Sequence, residues 1–161
     1  MKDPKLFLVS APSGAGKSSL IDAVLTSAKQ SDLALELSIS YTTRSPRKGE
    51  SNGNQYFFIS EEDFINKKNA NFFLEHAEVH GNWYGTSVDF VESKLSSGIN
   101  LILEIDVQGF RQINELDIKY ESIFILPPSI YSLEERIKSR GDEDLSLIHI
   151  SEPTRRDSIS Y

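Results

Sequence analysis

The sequence predicts an α/β fold in which a parallel sheet core carries an inserted α+β lobe. Three observations lead there. Short apolar runs alternate with helix-patterned segments. A small-residue, turn-rich stretch separates the first run from the first helix. The run beginning at Leu101 is apolar on both faces, as a buried parallel strand must be.

Taken in order, residues 6–10 are an apolar strand that stops at Ala11-Pro12-Ser13-Gly14-Ala15-Gly16, after which Leu20, Ile21, Val24 and Leu25 recur at helical spacing. Leu35, Leu37 and Ile39 alternate with polar neighbours. Residues 56–59 form a further β-rich run, set off by a loop holding Pro46, Gly49, Asn52 and Gly53. Ser60 is an N-cap hydroxyl before the acidic turn Glu61-Glu62-Asp63 and a second helix; a third spans 87–97 and closes on Gly98. Residues 101–106 and 122–126 read as buried parallel strands, and Ser132-Leu133-Glu134-Glu135 opens a helix towards Arg140. The core is therefore assigned to 1–37 and 99–133, and the lobe to 38–98.

A chain of 161 residues accommodates one compact domain with such an insertion, and 39% apolar residues suffice for its core. No repeat or low-complexity tract interrupts it. The net charge of −7 is the wrong sign for a sequence-independent nucleic-acid binder, so any bound anion must meet a local basic cluster. With no cysteine there are no disulfides, thiolate metal sites or thiol nucleophiles. The opening Met-Lys-Asp-Pro-Lys leads into an apolar run too short for a signal or a membrane span, so no membrane partner and a cytoplasmic location are expected.

Ala11-Pro12-Ser13-Gly14-Ala15-Gly16-Lys17-Ser18 fits the phosphate-loop pattern G-x-x-x-x-G-K-[ST], with Ala in first place, and Ser19 follows. The chemistry suits a nucleoside triphosphate. Glycines let successive backbone N–H groups face one anion, and the helix N-terminus adds partial positive charge. Lys17 reaches the β and γ phosphates, and Ser18 offers a hydroxyl to Mg²⁺. A plain glycine turn between strand and helix is the alternative.

A second cluster, Ser40-Tyr41-Thr42-Thr43-Arg44-Ser45-Pro46-Arg47-Lys48-Gly49-Glu50, precedes Gly53 and Tyr56-Phe57-Phe58. Together with the phosphate loop it closely resembles the guanylate kinase family. So do Phe73-Leu74-Glu75-His76-Ala77-Glu78, Gly81-Asn82-Trp83-Tyr84-Gly85-Thr86, Leu103-Glu104-Ile105-Asp106-Val107-Gln108-Gly109 and Ile123-Phe124-Ile125-Leu126-Pro127-Pro128-Ser129. The resemblance runs from about Leu6 to Asp144. It implies a three-layer P-loop core with a GMP-binding lobe, transfer of the γ-phosphoryl of ATP to GMP or dGMP, and Mg²⁺ accompanying ATP. Arg44, Arg47, Tyr56 and Tyr84 would bind the GMP phosphate, as two forked cations and two uncharged donors suit it. Glu75, Thr86 and Ser40 would surround guanine, whose paired N–H donors one carboxylate accepts side by side. Adenine would mismatch there. Asp106 joins this site, either orienting Arg44 or reaching the Mg²⁺ shell through water, and shares a strand face with Glu104. Arg136 and Arg140 match lid arginines that would act with Lys17, Arg44 and Arg47 on the transferring group.

Plainer readings stand beside these. Arg44, Arg47 and Lys48 can be a solvated basic turn, Tyr56, Tyr84 and Trp83 can pack the lobe, and Glu75 can be a surface carboxylate. Glu104 and Asp106 can cap backbone, and His76 and His80 lack a third ligand for zinc. Two other functions compete: a P-loop kinase with another phosphorylated acceptor, and a guanylate-kinase-like module that binds without catalysis. Glu75 with Thr86 opposes the first. The intact Gly16-Lys17-Ser18, Arg44 and Arg47 oppose the second.

The resemblance breaks after Asp144. Residues 134–144 match the start of the lid, whereas the family's further core strand and helices do not follow. Leu145 to Arg155 instead resembles the translation of a sequencing-library adapter, so residues 145–161 are expected to be foreign. A sheet lacking its last strand would leave an open edge, and weak activity or none is expected of this polypeptide.

Overall fold

The computed structural model describes residues 3–12 and 15–126. Its first sheet joins β1 (Leu6–Ser10), β2 (Leu35–Leu37), β7 (Asn100–Glu104) and β8 (Glu121–Phe124) in the order β2-β7-β1-β8. Every pairing in it is parallel. Leu6, Leu8, Leu101 and Leu103 are buried towards Leu74, Val91, Ile105 and Ile113, while Val9 and Ile102 pack on Ile21 of α1 (Lys17–Gln30). Burial on both faces is why 101–103 reads as an unbroken apolar run.

The register sets Val9 opposite Glu104, so the glycine loop leaves β1 beside the carboxyl end of β7. Ligands collect at such strand ends in parallel sheets. β8 departs from the expectation of a buried strand. Its four residues are exposed, because among the described residues it pairs with β1 alone.

The second sheet has the order β4-β3-β6-β5, from β3 (Ser40–Thr42), β4 (Tyr56–Phe58), β5 (Phe73–Val79) and β6 (Asn82–Ser87). β3 and β4 are parallel and the other pairings antiparallel. The alternating run 35–39 is thus divided: residues 35–37 join the first sheet and the chain crosses to the second at Ser38 and Ile39. β5 and β6 form a hairpin whose turn residues, His80 (φ 51°) and Gly81 (φ 72°), are both left-handed, matching the twist of the strands. Phe64 of α2 (Glu61–Asn69) is fully buried and stacks on Phe73 at 4.4 Å and on Trp83 at 5.7 Å between ring centroids.

The helix ends follow local chemistry. Ser60 Oγ accepts from the Asp63 N–H, and Ser87 Oγ accepts from the Phe90 N–H at the start of α3 (Val88–Ser96). α3 closes with Gly98 N–H to Leu95 O and Ile99 N–H to Lys94 O, the paired bonds of a left-handed glycine stop. α4 (Val107–Asn114) had no counterpart in the sequence reading; it opens on Asp106. Among the described residues no helix is long and apolar enough to cross a membrane. Ser13, Gly14, the helix expected from Ser132 with Arg136 and Arg140, the lid segment 134–144 and the tail 145–161 lie outside the described residues.

Candidate functional site

A cleft of about 530 Å³ opens between the two sheets. Lys17, Ser18, Ser40, Tyr56, Glu75, Tyr84, Glu104 and Asp106 all line it. Two chain regions expected to bind separate anions therefore face one space.

Ala11 and Pro12 continue from β1, Ala15 N–H donates to Pro12 O at 3.1 Å, and Gly16 takes φ +91° before Lys17 opens α1. A side chain at Gly16 would be strained there. The first turn of α1, with Ser18 and Ser19, carries N–H groups that no helix can satisfy internally. Lys17 Nζ lies 3.1 Å from Glu104 Oε1. The predicted strand ends at Glu104, and Asp106 is the N-cap of α4. Asp106 Oδ1 accepts from Gly109 N–H at 2.9 Å and Oδ2 from Gln108 Nε2 at 3.1 Å.

At the other end of the cleft, pairing of β5 with β6 sets Glu75 opposite Thr86. Thr86 Oγ1 donates to Glu75 Oε1 at 2.6 Å, and Ser40 Oγ lies 3.3 Å from Thr86 Oγ1. Glu75 is only 6% exposed, which disposes of its reading as a surface carboxylate. Burial pushes its pKa up to about 7, with the Thr86 hydrogen bond pulling down and the Asp106 charge pushing further up.

Beside Tyr56 and Tyr84, which line the cleft, stands a cluster around Arg44, itself not among the lining residues. Arg44 donates from both terminal nitrogens to Glu50, at 3.0 and 2.9 Å, and also to Ser45 O at 2.8 Å. Its guanidinium carbon lies 5.3 Å from the Tyr56 ring centroid, and the Tyr56 and Tyr84 rings meet edge to face at 5.9 Å. Glu50 also accepts the Arg47 N–H at 2.6 Å. The hydrogen bonds to Glu50 raise Arg44 above its ordinary range, and those from Arg44 and then Arg47 hold Glu50 below its own. Burial, then the Glu104 charge, raises Tyr56, so its phenol keeps its proton as a donor.

Two expectations change. Arg44 is oriented by Glu50 rather than by Asp106, whose oxygens are engaged in opening α4. The basic turn is not simply solvated, since the Arg44 fork is fixed, while Arg47 and Lys48 are exposed. Trp83 packs on Phe64, as its plain reading held, and His76 meets Trp83 edge-on at 6.1 Å. Glu50 ends the motif, and the sequence alone assigns it no role. The signal that could have found it is a carboxylate closing a turn that holds two arginines.

The sequence profile of guanylate kinases matches residues 3–157. The chain belongs to the guanylate kinase family. It is 52% identical to the guanylate kinase of Hahella chejuensis over 144 residues, which covers 89% of this chain and 67% of that one. With the guanylate kinase of Cupriavidus metallidurans it shares 50% over 143 residues, covering 89% and 64%, and with that of Nitrosomonas europaea 46% over 156 residues, covering 97% and 76%. The chain thus spans about two thirds to three quarters of the length of these family members. The crystal structure of guanylate kinase from Anaplasma phagocytophilum superposes with a TM-score of 0.67 at 32% identity, over 88% of this chain and 70% of that one. Of the residues singled out in the sequence, Lys17, Ser18, Ser40, Tyr56, Glu75, Tyr84 and Asp106 line the cleft, whereas Arg44, Arg47 and Thr86 do not.

Proposed function

We propose that this chain transfers the γ-phosphoryl group of ATP to GMP or dGMP, giving ADP and GDP or dGDP. One observation carries the reading: Lys17 and Ser18 line the same cleft as Tyr56, Tyr84 and Glu75, so a triphosphate and a monophosphate acceptor meet across one space. Residues 11–19 cradle ATP, with Lys17 on its outer phosphates. Arg44, Arg47, Tyr56 and Tyr84 hold the acceptor phosphate by charge-assisted and neutral donors. Glu75, backed by Thr86 and Ser40, accepts the paired N–H groups of guanine, and Asp106 borders the base.

Transfer of this kind needs placement and charge neutralisation rather than a covalent intermediate. Lys17 and the arginines supply fixed positive charge where negative charge gathers. The lid arginines Arg136 and Arg140 are assigned their role from the sequence alone. Among the described residues no group of three or more His, Asp or Glu is placed to hold a metal ion. The Ser18 hydroxyl with the Glu104 and Asp106 carboxylates is nevertheless a hard oxygen set, which suits Mg²⁺ when substrate phosphates and water complete its shell. Bound there with ATP, Mg²⁺ would neutralise charge on the phosphate oxygens. A cytoplasmic setting, where both nucleotides are available, accompanies the reading.

ADP release measured across GMP, dGMP, AMP and ribose phosphates tests it. Selective stimulation by GMP and dGMP, whatever the absolute rate, is the expected result. Equal stimulation by AMP or a sugar phosphate overturns the acceptor assignment, and absence of ATP binding in a calorimetric titration overturns the enzyme reading altogether.

A further inference from the structure

Gly109 occupies the third position of α4, where its backbone is ordinary helix and needs no glycine. Glycine is the poorest helix former short of proline, so the position calls for another reason. Space is that reason. A Cβ built on Gly109 would lie 2.5 Å from Glu75 Oε2 and 3.2 Å from its Cδ. The carboxylate that Thr86 holds by Oε1 therefore rests its second oxygen directly against the bare face of α4.

One turn further along the same helix, the Gln112 amide meets the residue after Glu75. Gln112 Nε2 donates to His76 O at 2.6 Å, and His76 N–H donates to Gln112 Oε1 at 3.1 Å. β5 is the edge strand of its sheet, and this side chain supplies the paired donor and acceptor that a neighbouring strand would otherwise provide. The strand is thereby pinned at the point where Glu75 turns into the cleft.

We propose that Gly109 and Gln112 are positioning residues that together set the Glu75 carboxylate at the base-reading end of the cleft, Gly109 by leaving room for it and Gln112 by fixing the strand that carries it. The proposal rests on the reading of Glu75 as the group that recognises guanine. It makes guanine selectivity depend on a helix that does not touch the base.

The test is calorimetric binding of GMP and of ATP to the full chain carrying Gly109→Ala, Gln112→Leu, Glu75→Ala, or Glu75→Ala with Gly109→Ala. Gly109→Ala should weaken GMP binding at least tenfold and leave ATP binding within twofold, and Gln112→Leu should weaken GMP binding about threefold to tenfold. Adding Gly109→Ala to Glu75→Ala should cost no further GMP affinity and should raise the melting temperature, because alanine then improves the helix with nothing to displace. Should Gly109→Ala alone fail to fold, recovery of the fold in the double variant supports the proposal, and continued failure overturns it. Unchanged GMP binding in Gly109→Ala, or a loss that simply adds to that of Glu75→Ala, also overturns it. If Glu75→Ala binds GMP as the parent does, the reading of Glu75 itself is wrong, which is a separate result.

Discussion

The ammonium of Lys17 and the carboxylate of Glu104 form a 3.1 Å ion pair at the carboxyl ends of adjacent parallel strands. It ties the start of α1 to the end of β7. On the proposed reading, an incoming triphosphate must draw Lys17 away from Glu104 and tolerate its charge. Glu104→Gln is therefore expected to tighten binding of ATP in the absence of Mg²⁺ by about fivefold, the worth of one partly exposed ion pair. Calorimetric titration in chelator measures this, and weaker binding by the variant would show that Glu104 supports the phosphate site instead of competing for it.

Glu75 makes both stability and acceptor binding depend on pH. Its pKa rises from 4.5 when unfolded to about 7 in the fold, because burial favours the neutral acid. The stabilising contribution of the protonated group is whole below the unfolded value and is lost as pH rises through 7, in all about 3 kcal/mol. Urea unfolding should show Glu75→Gln gaining on the parent between pH 5 and pH 8; a pH-independent difference would contradict the assignment.

Binding should run the other way. Guanine's N–H groups need the ionised carboxylate, so affinity for GMP should rise about tenfold from pH 6 to pH 8 beyond the change seen for Glu75→Gln. That subtraction removes the titration of the GMP phosphate itself. Equal slopes for parent and variant would remove Glu75 from base recognition.

Glu50 organises the Arg44 cluster without lining the cleft. With Glu50→Ala, Arg44 loses both forked bonds and the Arg47 N–H loses its acceptor. If Arg44 holds the acceptor phosphate as proposed, misplacing its fork is expected to lower kcat/KM for GMP about 10- to 100-fold. KM for ATP should stay near the parental value. Steady-state kinetics with each nucleotide varied in turn separates the two, and a matching rise in KM for ATP would point to general unfolding of the lobe.

Gly85 tests the packing beneath the site. A Cβ there would fall 2.9 Å from Phe73 Cδ1 and 3.1 Å from Phe64 Cζ, against rings already stacked at 4.4 Å. Gly85→Ala should destabilise by about 1–3 kcal/mol through overpacking. Urea denaturation should show part of this recovered when Phe73→Leu is added; a fully additive loss would place the strain elsewhere.

What was legible in the sequence was local. The strand, glycine loop and helix around Gly16 are written in consecutive residues, as are the Ser60 and Ser87 caps and the Gly98 stop. At Ser38 the reading divides core from lobe, yet periodicity does not mark the crossing, since Leu35, Leu37, Ile39 and Tyr41 keep one alternation straight through the change of sheet. The β5–β6 hairpin was hidden by an unusual His80-Gly81 turn. α4 was hidden by Gly109, whose cost to helix propensity accompanies the close approach of the Glu75 side chain from β5. The pairing of Glu50 with Arg44 and the raised pKa of Glu75 likewise depend on burial and approach, which no periodicity encodes.

The seam between α4 and β5 has a mechanical corollary. Gln112 fastens β5 of the second sheet to α4 beside Glu75, whereas Tyr56 stands on β4, three strands away at the opposite edge, and Arg44 follows β3, two strands away. Any swing of one sheet towards the other would turn about this fastening as on an axle. On the proposed reading of Glu75 and Arg44, the purine would sit near the pivot and travel little, while its phosphate would cover the greater arc towards Lys17.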